Sequence, residues 1–299
     1  MGVAKSIFPE KAPGVTCEFH RKIDLLPGHP ESVMIKIIDP EDPRVSMYKN
    51  LRANTGQPGT FISDHEKIVL RHLESNLPVN SIYTTLKYYE KYESLIGERV
   101  NPEKIYIAEQ EVMEKTIGFP LHQGCMSSGT VPGLKKPMEL TGNLLYCHGI
   151  VDAENMGSIL RTGASMGIHS VLLSTGCITP FHRRSVRVSM GNVFRQSFGV
   201  GEFSVLHTAF KELGYTWIAL SLPRPGRDTV SIYHYRFPEK FILVLGNESE
   251  GIPEDVLCAV DAVLTIPMKD GVDSLNVSHS LAVALAFWSA GLPNLQEAG

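Results

Sequence analysis

Two short segments of the chain are apolar at nearly every position, and they constrain the fold more than any other feature. They are TWIALSL (216–222) and FILVLG (241–246). A strand that is apolar on both faces must be covered on both faces, which is typical of a parallel sheet with helices on each side. Strand-like segments at 144–150, 168–174 and 262–268 alternate with helical patterns, so the sequence predicts an α/β fold with a parallel sheet.

The helical patterns of this region lie between the strand-like segments. Residues 155–166 and 276–290 have the apolar spacing of helices. We interpret residues 185–198 as one helix, and residues 203–214 as a strand fragment followed by a helix.

The remaining sequence is predicted to divide the chain into further parts. Residues 1–35 are rich in Pro, Gly and His without periodicity, which indicates an irregular extension. Residues 36–126 alternate short strand and helix patterns, as in a small α/β domain, with 61–75 interpreted as one helix. Residues 127–141 carry Gly, Pro and Lys and are typical of a linker that lets the small domain move. The second domain then covers residues 142–299.

Composition excludes several classes of protein. The formal charge is −4 over 299 residues, and the five cysteines are scattered without a C-x-x-C pair. This pattern argues against a disulfide framework and for a reducing compartment, so we expect a cytoplasmic protein, with an organelle as the alternative. No apolar run reaches the roughly 18–20 residues of a membrane helix. No histidine pair has metal-ligand spacing either, so we expect neither a membrane nor a metal ion as partner.

A stretch of 47 residues, 155–201, contains five arginines and no Asp or Glu. One of them, Arg161, lies in sequence beside Ile159 and Leu160. A guanidinium keeps its charge and needs an anion or dense hydrogen bonding, so its partner is expected from elsewhere in the chain or from a ligand. The stretch is also the best candidate for an RNA path, formed by Arg183, Arg184, Arg187 and Arg195. A solvated helix face is the alternative interpretation of these four.

Three loops that follow predicted strands are unusually polar or rich in glycine. They are DAENMG (152–157), GNESEG (246–251) and MKDGVDSLNVS (268–278). In open parallel sheets, ligands bind beyond the carboxyl ends of the strands, so the three loops are expected to form one site. Taken singly, each loop is better explained as an ordinary turn that leads into a helix cap, with Asp152, Glu254 or Asn276 as the capping residue. Taken together, their order and spacing favour a site.

One motif favours a different chemistry but has the wrong context. GASMG (163–167) matches the G-x-S-x-G pattern of serine hydrolases. That motif must follow a strand and open a helix, whereas here it closes a predicted helix and precedes a strand. We therefore expect the small residues to serve helix packing.

Three segments together resemble a known family. NMGSILRTGASMG (155–167), LVLGNESEGI (243–252) and IPMKDGVDSLNVS (266–278) are similar, in order and spacing, to the three motifs of the SpoU-type (TrmH-like) RNA ribose methyltransferases of the SPOUT superfamily. The resemblance covers roughly residues 142–290. It implies a trefoil-knotted α/β fold, a homodimer, S-adenosyl-L-methionine as methyl donor, and transfer to a ribose 2′-hydroxyl of RNA.

The small domain adds a weaker resemblance. Residues 36–126 resemble the substrate-binding domain, itself similar to a ribosomal protein, that is often attached to these enzymes. Members of the family usually carry EGE where this chain has SDHE (63–66). The resemblance favours ribosomal RNA over transfer RNA as substrate. The alternative function is a non-catalytic RNA-binding or ribosome-assembly factor that has kept the fold.

The resemblance also assigns roles to individual residues. Arg161 corresponds to the catalytic arginine, as a base or, since a guanidinium is a poor proton acceptor, as a stabiliser of charge. The other predicted catalytic residues are Asn155, Glu248, Ser274 and Asn276. The predicted donor-binding residues are Gly246, Asn247, Gly251, Ile266, Met268 and Leu275.

Overall fold

The computed structural model describes residues 34–51, 58–224, 226–247, 249–269 and 274–291. The predicted irregular extension lies outside the described residues except for its last two positions. Those two belong to the small domain, because Met34 is buried in its core and Ile35 begins its first strand.

The small domain is a mixed five-stranded sheet with helices. Strands β1, β4 and β3 are mutually parallel, and β5 runs antiparallel to both β3 and β2, in the order β1-β4-β3-β5-β2. The elements are β1 (Ile35–Lys36), β2 (Thr60–Asp64), α1 (Glu66–Glu74), β3 (Val79–Thr84), α2 (Leu86–Lys91), α3 (Glu93–Arg99), β4 (Ile105–Ile107), α4 (Gln110–Ile117) and β5 (Cys125–Thr130).

The helix predicted over 61–75 is wrong at its start. Phe61–Asp64 lies in β2, with all four residues buried, and α1 begins at Glu66. Between them His65 has φ +92° and ψ 131°, which no helix residue adopts. A strand buried on both faces has no alternation, and its apolar residues also match a helical spacing, so periodicity alone does not separate the two.

The linker predicted from residue 127 begins inside β5. Its residues Ser127 and Ser128 are fully buried, and their hydroxyls form hydrogen bonds with other buried groups. Ser127 bonds to His72 Nδ1 at 2.9 Å, and Ser128 bonds to Ser81 Oγ at 2.7 Å. A Cβ at Gly129 would lie 2.5 Å from the Phe61 ring. Small polar residues have a low strand propensity, and here tertiary packing overrides it.

The large domain is a seven-stranded parallel sheet covered by helices on both faces, which confirms the predicted α/β class. The strand order is β10-β12-β9-β11-β6-β7-β8. The elements are β6 (Leu144–Cys147), α5 (Ala153–Ser165), β7 (Ser170–Leu173), α6 (Arg183–Val188), β8 (Ser197–Val200), α7 (Phe203–Glu212), β9 (Thr216–Leu220), β10 (Val230–Ser231), β11 (Phe241–Leu245), α8 (Glu254–Ala259), β12 (Ala262–Thr265) and α9 (Val277–Ala290).

Two predicted elements of this domain differ from the structure. The segment 185–198 contains the end of α6, a short 3-10 helix (Asn192–Arg195) and the start of β8. The chain turns at Met190 and Gly191, which both have positive φ. The segment 203–214 contains α7 without a strand fragment.

The two domains share one hydrophobic core. Phe61 of the small domain packs against Phe181 and Phe194 of the large domain, with ring centroids 5.2 and 5.3 Å apart. The buried His72 ring lies 5.2 Å from the same Phe194 ring. The predicted linker is therefore not the only connection between the domains, and free movement of the small domain would separate these aromatic contacts. Within the part of the chain described here, no helix is long and apolar enough to cross a membrane.

Candidate active site

A cavity of about 390 Å³ opens at the carboxyl ends of β9, β11 and β12. This volume lies in the range of small-molecule sites. Described residues from three parts of the chain line it: 220–224, then 245–247 with 249–252, then 264–268 with 274–280. All six predicted donor-binding residues are among them, as are the predicted catalytic residues Ser274 and Asn276. The second and third of the three predicted loops thus meet at one site, whereas the first loop supplies none of the described residues that line the cavity.

The turn at 246–251 presents main chain to this cavity. Gly251 N donates to Asn247 O at 2.8 Å, which closes the turn, and Asn247 Nδ2 ties it to Gly149 O at 2.7 Å. Gly251 has φ +71°. A Cβ at Gly246 would lie 2.6 Å from the carbonyl carbon of Gly251, so no side chain fits there. The turn needs both glycines, and it leaves backbone groups at the cavity wall.

Asn276 connects the third loop to the first. It caps α9, since its Oδ1 accepts from Ser278 N at 2.9 Å. Its Nδ2 donates to Asn155 Oδ1 at 2.8 Å, in the first turn of α5. Asp152 in turn caps α5 by accepting from Asn155 N at 2.8 Å. The cap interpretation is therefore correct for Asp152 and Asn276, and the bond between Asn276 and Asn155 also joins two predicted catalytic residues. It is wrong for Glu254, which is the first residue of α8 rather than its cap.

Arg161 lies on α5 but outside the cavity wall. Its neighbours in sequence, Ile159 and Leu160, point into the core, whereas Arg161 is exposed. The expectation of a guanidinium lodged among apolar side chains is wrong, because the helix turns it to the opposite side. Arg161 forms neither a hydrogen bond nor an ion pair with any of the described residues. Glu248, another of the predicted catalytic residues, lies outside the described residues.

Three of the four predicted RNA-binding arginines have carboxylate partners within the chain. Asp64 of the small domain, nearly buried, lies 2.6 Å from Arg183 and 3.7 Å from Arg187. Arg184 pairs with Glu154 at 2.5 Å, and both side chains are exposed. Arg195 is exposed and has no such partner among the described residues. The carboxylate partners of the acid-free stretch thus come from Glu154, just before it in sequence, and from Asp64 of the small domain.

Sequence reasoning missed two charged residues of the cavity, Arg224 and Glu250. They are the charged side chains among the described residues that line it. Arg224 follows β9 in the segment SLPRPGRD (221–228), which is a fourth polar loop at the same edge of the sheet. The adjacent strand 216–222 was the signal that could have identified it.

Two buried cysteines and the serine of the G-x-S-x-G pattern are not placed for nucleophilic chemistry. Burial raises the pKa of the Cys125 thiol to about 12 and that of the Cys147 thiol well above its ordinary range, so both stay protonated. The described residues contain no cluster of three metal-ligating side chains. Ser165 is the last residue of α5 and donates to Thr162 O at 2.8 Å, so it does not occupy a nucleophile turn.

Comparisons with known proteins extend these observations. Residues 142–286 match the model of the SpoU rRNA Methylase family. An uncharacterized tRNA/rRNA methyltransferase of Mycobacterium tuberculosis is 29% identical, over 87% of this chain and 93% of the relative. A 23S rRNA (guanosine-2′-O-)-methyltransferase of Neisseria meningitidis is also 29% identical, over 61% of this chain and 75% of the relative.

A solved structure supports the fold over both domains. The AdoMet-bound rRNA methyltransferase of Sinorhizobium meliloti superposes with a TM-score of 0.72. The match covers 85% of this chain and 97% of that one, at 18% identity. Identity this low shows the shared fold alone.

Proposed function

Because the chain belongs, through residues 142–286, to the SpoU rRNA methylase family of RNA methyltransferases, we propose that it transfers a methyl group to the ribose 2′-hydroxyl of a structured RNA. Ribosomal RNA is the proposed substrate ahead of transfer RNA. The relative that modifies a guanosine 2′-oxygen of 23S rRNA supports both parts of the proposal.

The donor is S-adenosyl-L-methionine, and the cavity fits it. Two glycines bring main chain to the wall at 246–251, and Leu264 and Ile266 supply an apolar side. Backbone N–H and C=O groups suit the edge of an adenine base, and the apolar side chains suit its ring face. When bound, the donor supplies an electrophilic methyl group that needs no metal for its transfer.

The chain's own residues then have to align the ribose and stabilise charge. Arg161, exposed and without a partner in the described residues, is positioned for an RNA phosphate or for the oxygen that loses its proton. As a permanent cation it favours the transition state through charge, and a guanidinium is a poor proton acceptor. Asn155 and Asn276, bonded to each other, fix α5 relative to the cavity. Such alignment contributes to the rate by holding the reacting groups together.

The proposed homodimer would use the surface of α9. Phe287 of this helix and Tyr233 pack against each other with tilted rings whose centroids are 5.1 Å apart, and both are about half exposed. Exposed aromatic pairs beside apolar residues mark protein interfaces. A second copy on this surface would also place further groups near α5, where Arg161 lies outside the cavity of its own chain.

The observation that carries the proposal is the meeting of the second and third loops at one cavity, with Asn155 of the first loop bonded to its wall. The test uses isotope-labelled S-adenosyl-L-methionine with unmodified ribosomal and transfer RNA pools, and Arg161→Ala in parallel. Labelled 2′-O-methyl nucleosides in the ribosomal pool, lost in the variant, are expected. RNA binding without donor binding or label would favour the non-catalytic assembly factor instead.

A further inference from the structure

Arg224 is the strongest feature of the cavity that the proposed function leaves unused. It is the one cationic side chain among the described residues that line the cavity, and Glu250 is the one carboxylate. S-adenosyl-L-methionine ends in an amino acid, which carries one negative and one positive group. A cavity with one charge of each sign complements that end of the donor.

The position of Arg224 is set by contacts on two sides. Its Nη1 lies 3.1 Å from Glu254 Oε2, and its Nη2 donates to Ile252 O at 3.0 Å. The same Nη2 lies 3.3 Å from where a Cβ at Gly251 would stand. The guanidinium therefore lies directly against the turn at 246–251, which forms the wall proposed for the donor.

The guanidinium of Arg224 has N–H groups left to donate hydrogen bonds to a ligand. Arginine has five N–H donors in a planar fork, and the contacts with the described residues use two of them. The side chain is 34% exposed, so the others are accessible. A carboxylate is the anion whose geometry this fork matches, and such a charge-assisted pair is stronger than a neutral hydrogen bond.

Resting on the proposed function, we infer that Arg224 binds the carboxylate of the donor's amino-acid end and thereby selects donors that carry one. Arg224 is thus a specificity-determining residue for the methyl donor. Glu254 holds the guanidinium in place through one N–H group and leaves other N–H groups available to the donor.

Arg227 offers a matched control. It pairs with the same Glu254 and donates to Leu257 O, but it does not line the cavity. Removing Arg227, like removing Arg224, takes away one ion pair with Glu254 and one bond to a main-chain carbonyl. An effect on the carboxylate itself should therefore appear in one variant and not in the other.

The experiment measures binding by calorimetry with two donors, S-adenosyl-L-methionine and its decarboxylated form, without RNA. The unmodified protein is expected to prefer the carboxylated donor by about 10- to 100-fold. Arg224→Gln should remove this preference by weakening the binding of the carboxylated donor alone. Arg224→Lys should keep part of the preference, and Arg227→Gln should keep all of it. Thermal unfolding of each variant checks that it folds.

Three results would overturn the inference. One is a preference for the carboxylated donor that remains in Arg224→Gln, which would mean that another group binds the carboxylate. Another is equal loss in Arg224→Gln and Arg227→Gln, which would mean that the segment's attachment matters and the guanidinium does not. A third is loss of RNA affinity in Arg224→Gln with the donor preference unchanged, which would place Arg224 against RNA. Absence of any donor binding to the unmodified protein would instead overturn the proposed function itself.

Discussion

Arg183 and Arg161 lie in the same acid-free stretch, yet one has a carboxylate partner in the folded chain and the other has none among the described residues. Arg183 finds its counterion in Asp64 of the other domain, at 2.6 Å and mostly away from solvent. Arg161 is exposed, and no described residue balances its charge. The difference shows that missing acids in the local sequence do not identify a ligand-binding arginine. The partner has to be sought in space, and an arginine left without one is the candidate for function.

The largest expected effect separates the two arginines by activity. Arg161→Ala should lower turnover by about 100- to 1,000-fold, because the proposed role of Arg161 is to supply a charge beside the reacting oxygen. The melting temperature should stay unchanged, since Arg161 is exposed and forms neither a hydrogen bond nor an ion pair with the described residues. Single-turnover methylation and thermal unfolding measure the two quantities. Arg184→Ala is the control, and an equal loss of turnover there would contradict the assignment.

The aromatic contact between the two domains should instead respond to pH through His72, whose ring packs against Phe194. Burial lowers the pKa of His72 from its ordinary value of 6.5 to about 4, so the folded protein holds this ring neutral. Between these values the unfolded chain binds the extra proton, and stability falls as pH drops from 6.5 to 4. The loss is on the order of 3 kcal/mol. Chemical denaturation at several pH values measures it.

A matched pair of variants tests the assignment of this pH dependence. His72→Gln should flatten the curve between pH 6.5 and 4, because the titrating ring is removed. His122→Gln, at an exposed position, should leave the curve as it is. A dependence of stability on pH that persists in His72→Gln would mean that another group titrates in this range.

Asp64→Asn should have a smaller effect on stability, about 2 kcal/mol. The substitution leaves Arg183 without its charged partner and keeps the size of the side chain, so the loss reports a charge-assisted bond. Arg187 is more exposed and contributes less. Denaturant unfolding gives the value, and an unchanged midpoint would mean that the ion pair is screened by solvent. Glu154→Gln, from the exposed pair with Arg184, should change stability by less than about 1 kcal/mol.

The smallest effect concerns RNA affinity. Arg195 is exposed and without a partner among the described residues, so it is free to neutralise a phosphate. Arg195→Gln should reduce the log–log dependence of RNA affinity on salt by about 0.7. Filter binding over a range of salt concentrations measures this slope. Arg184→Gln should change it less, because that guanidinium already pairs with Glu154.

The parallel sheet was predictable because its strands are continuous apolar runs separated by helical patterns. All six residues predicted to bind the donor do line one cavity, because loops after neighbouring parallel strands meet at one edge. Their roles stay predictions.

Other features required tertiary information. The middle of strand β5 is two serines and a glycine, whose burial depends on His72, Ser81 and the Phe61 ring. The partners of Arg183 and Arg184 come from outside the stretch in which they lie, one of them from a distant part of the chain. The loop of Arg224 follows β9 and so lies at the predicted edge of the sheet, but only the folded structure shows that this side chain lines the cavity.

The shared aromatic core has a consequence for how the protein is synthesised. Phe61 leaves the ribosome about 130 residues before Phe194, which covers it in the finished molecule. At a synthesis rate of roughly 5–20 residues per second, the apolar face of the nascent small domain stays open for roughly 6 to 26 seconds. During that interval it is a surface for chaperones or for aggregation, and slower translation of the large domain would lengthen the exposure.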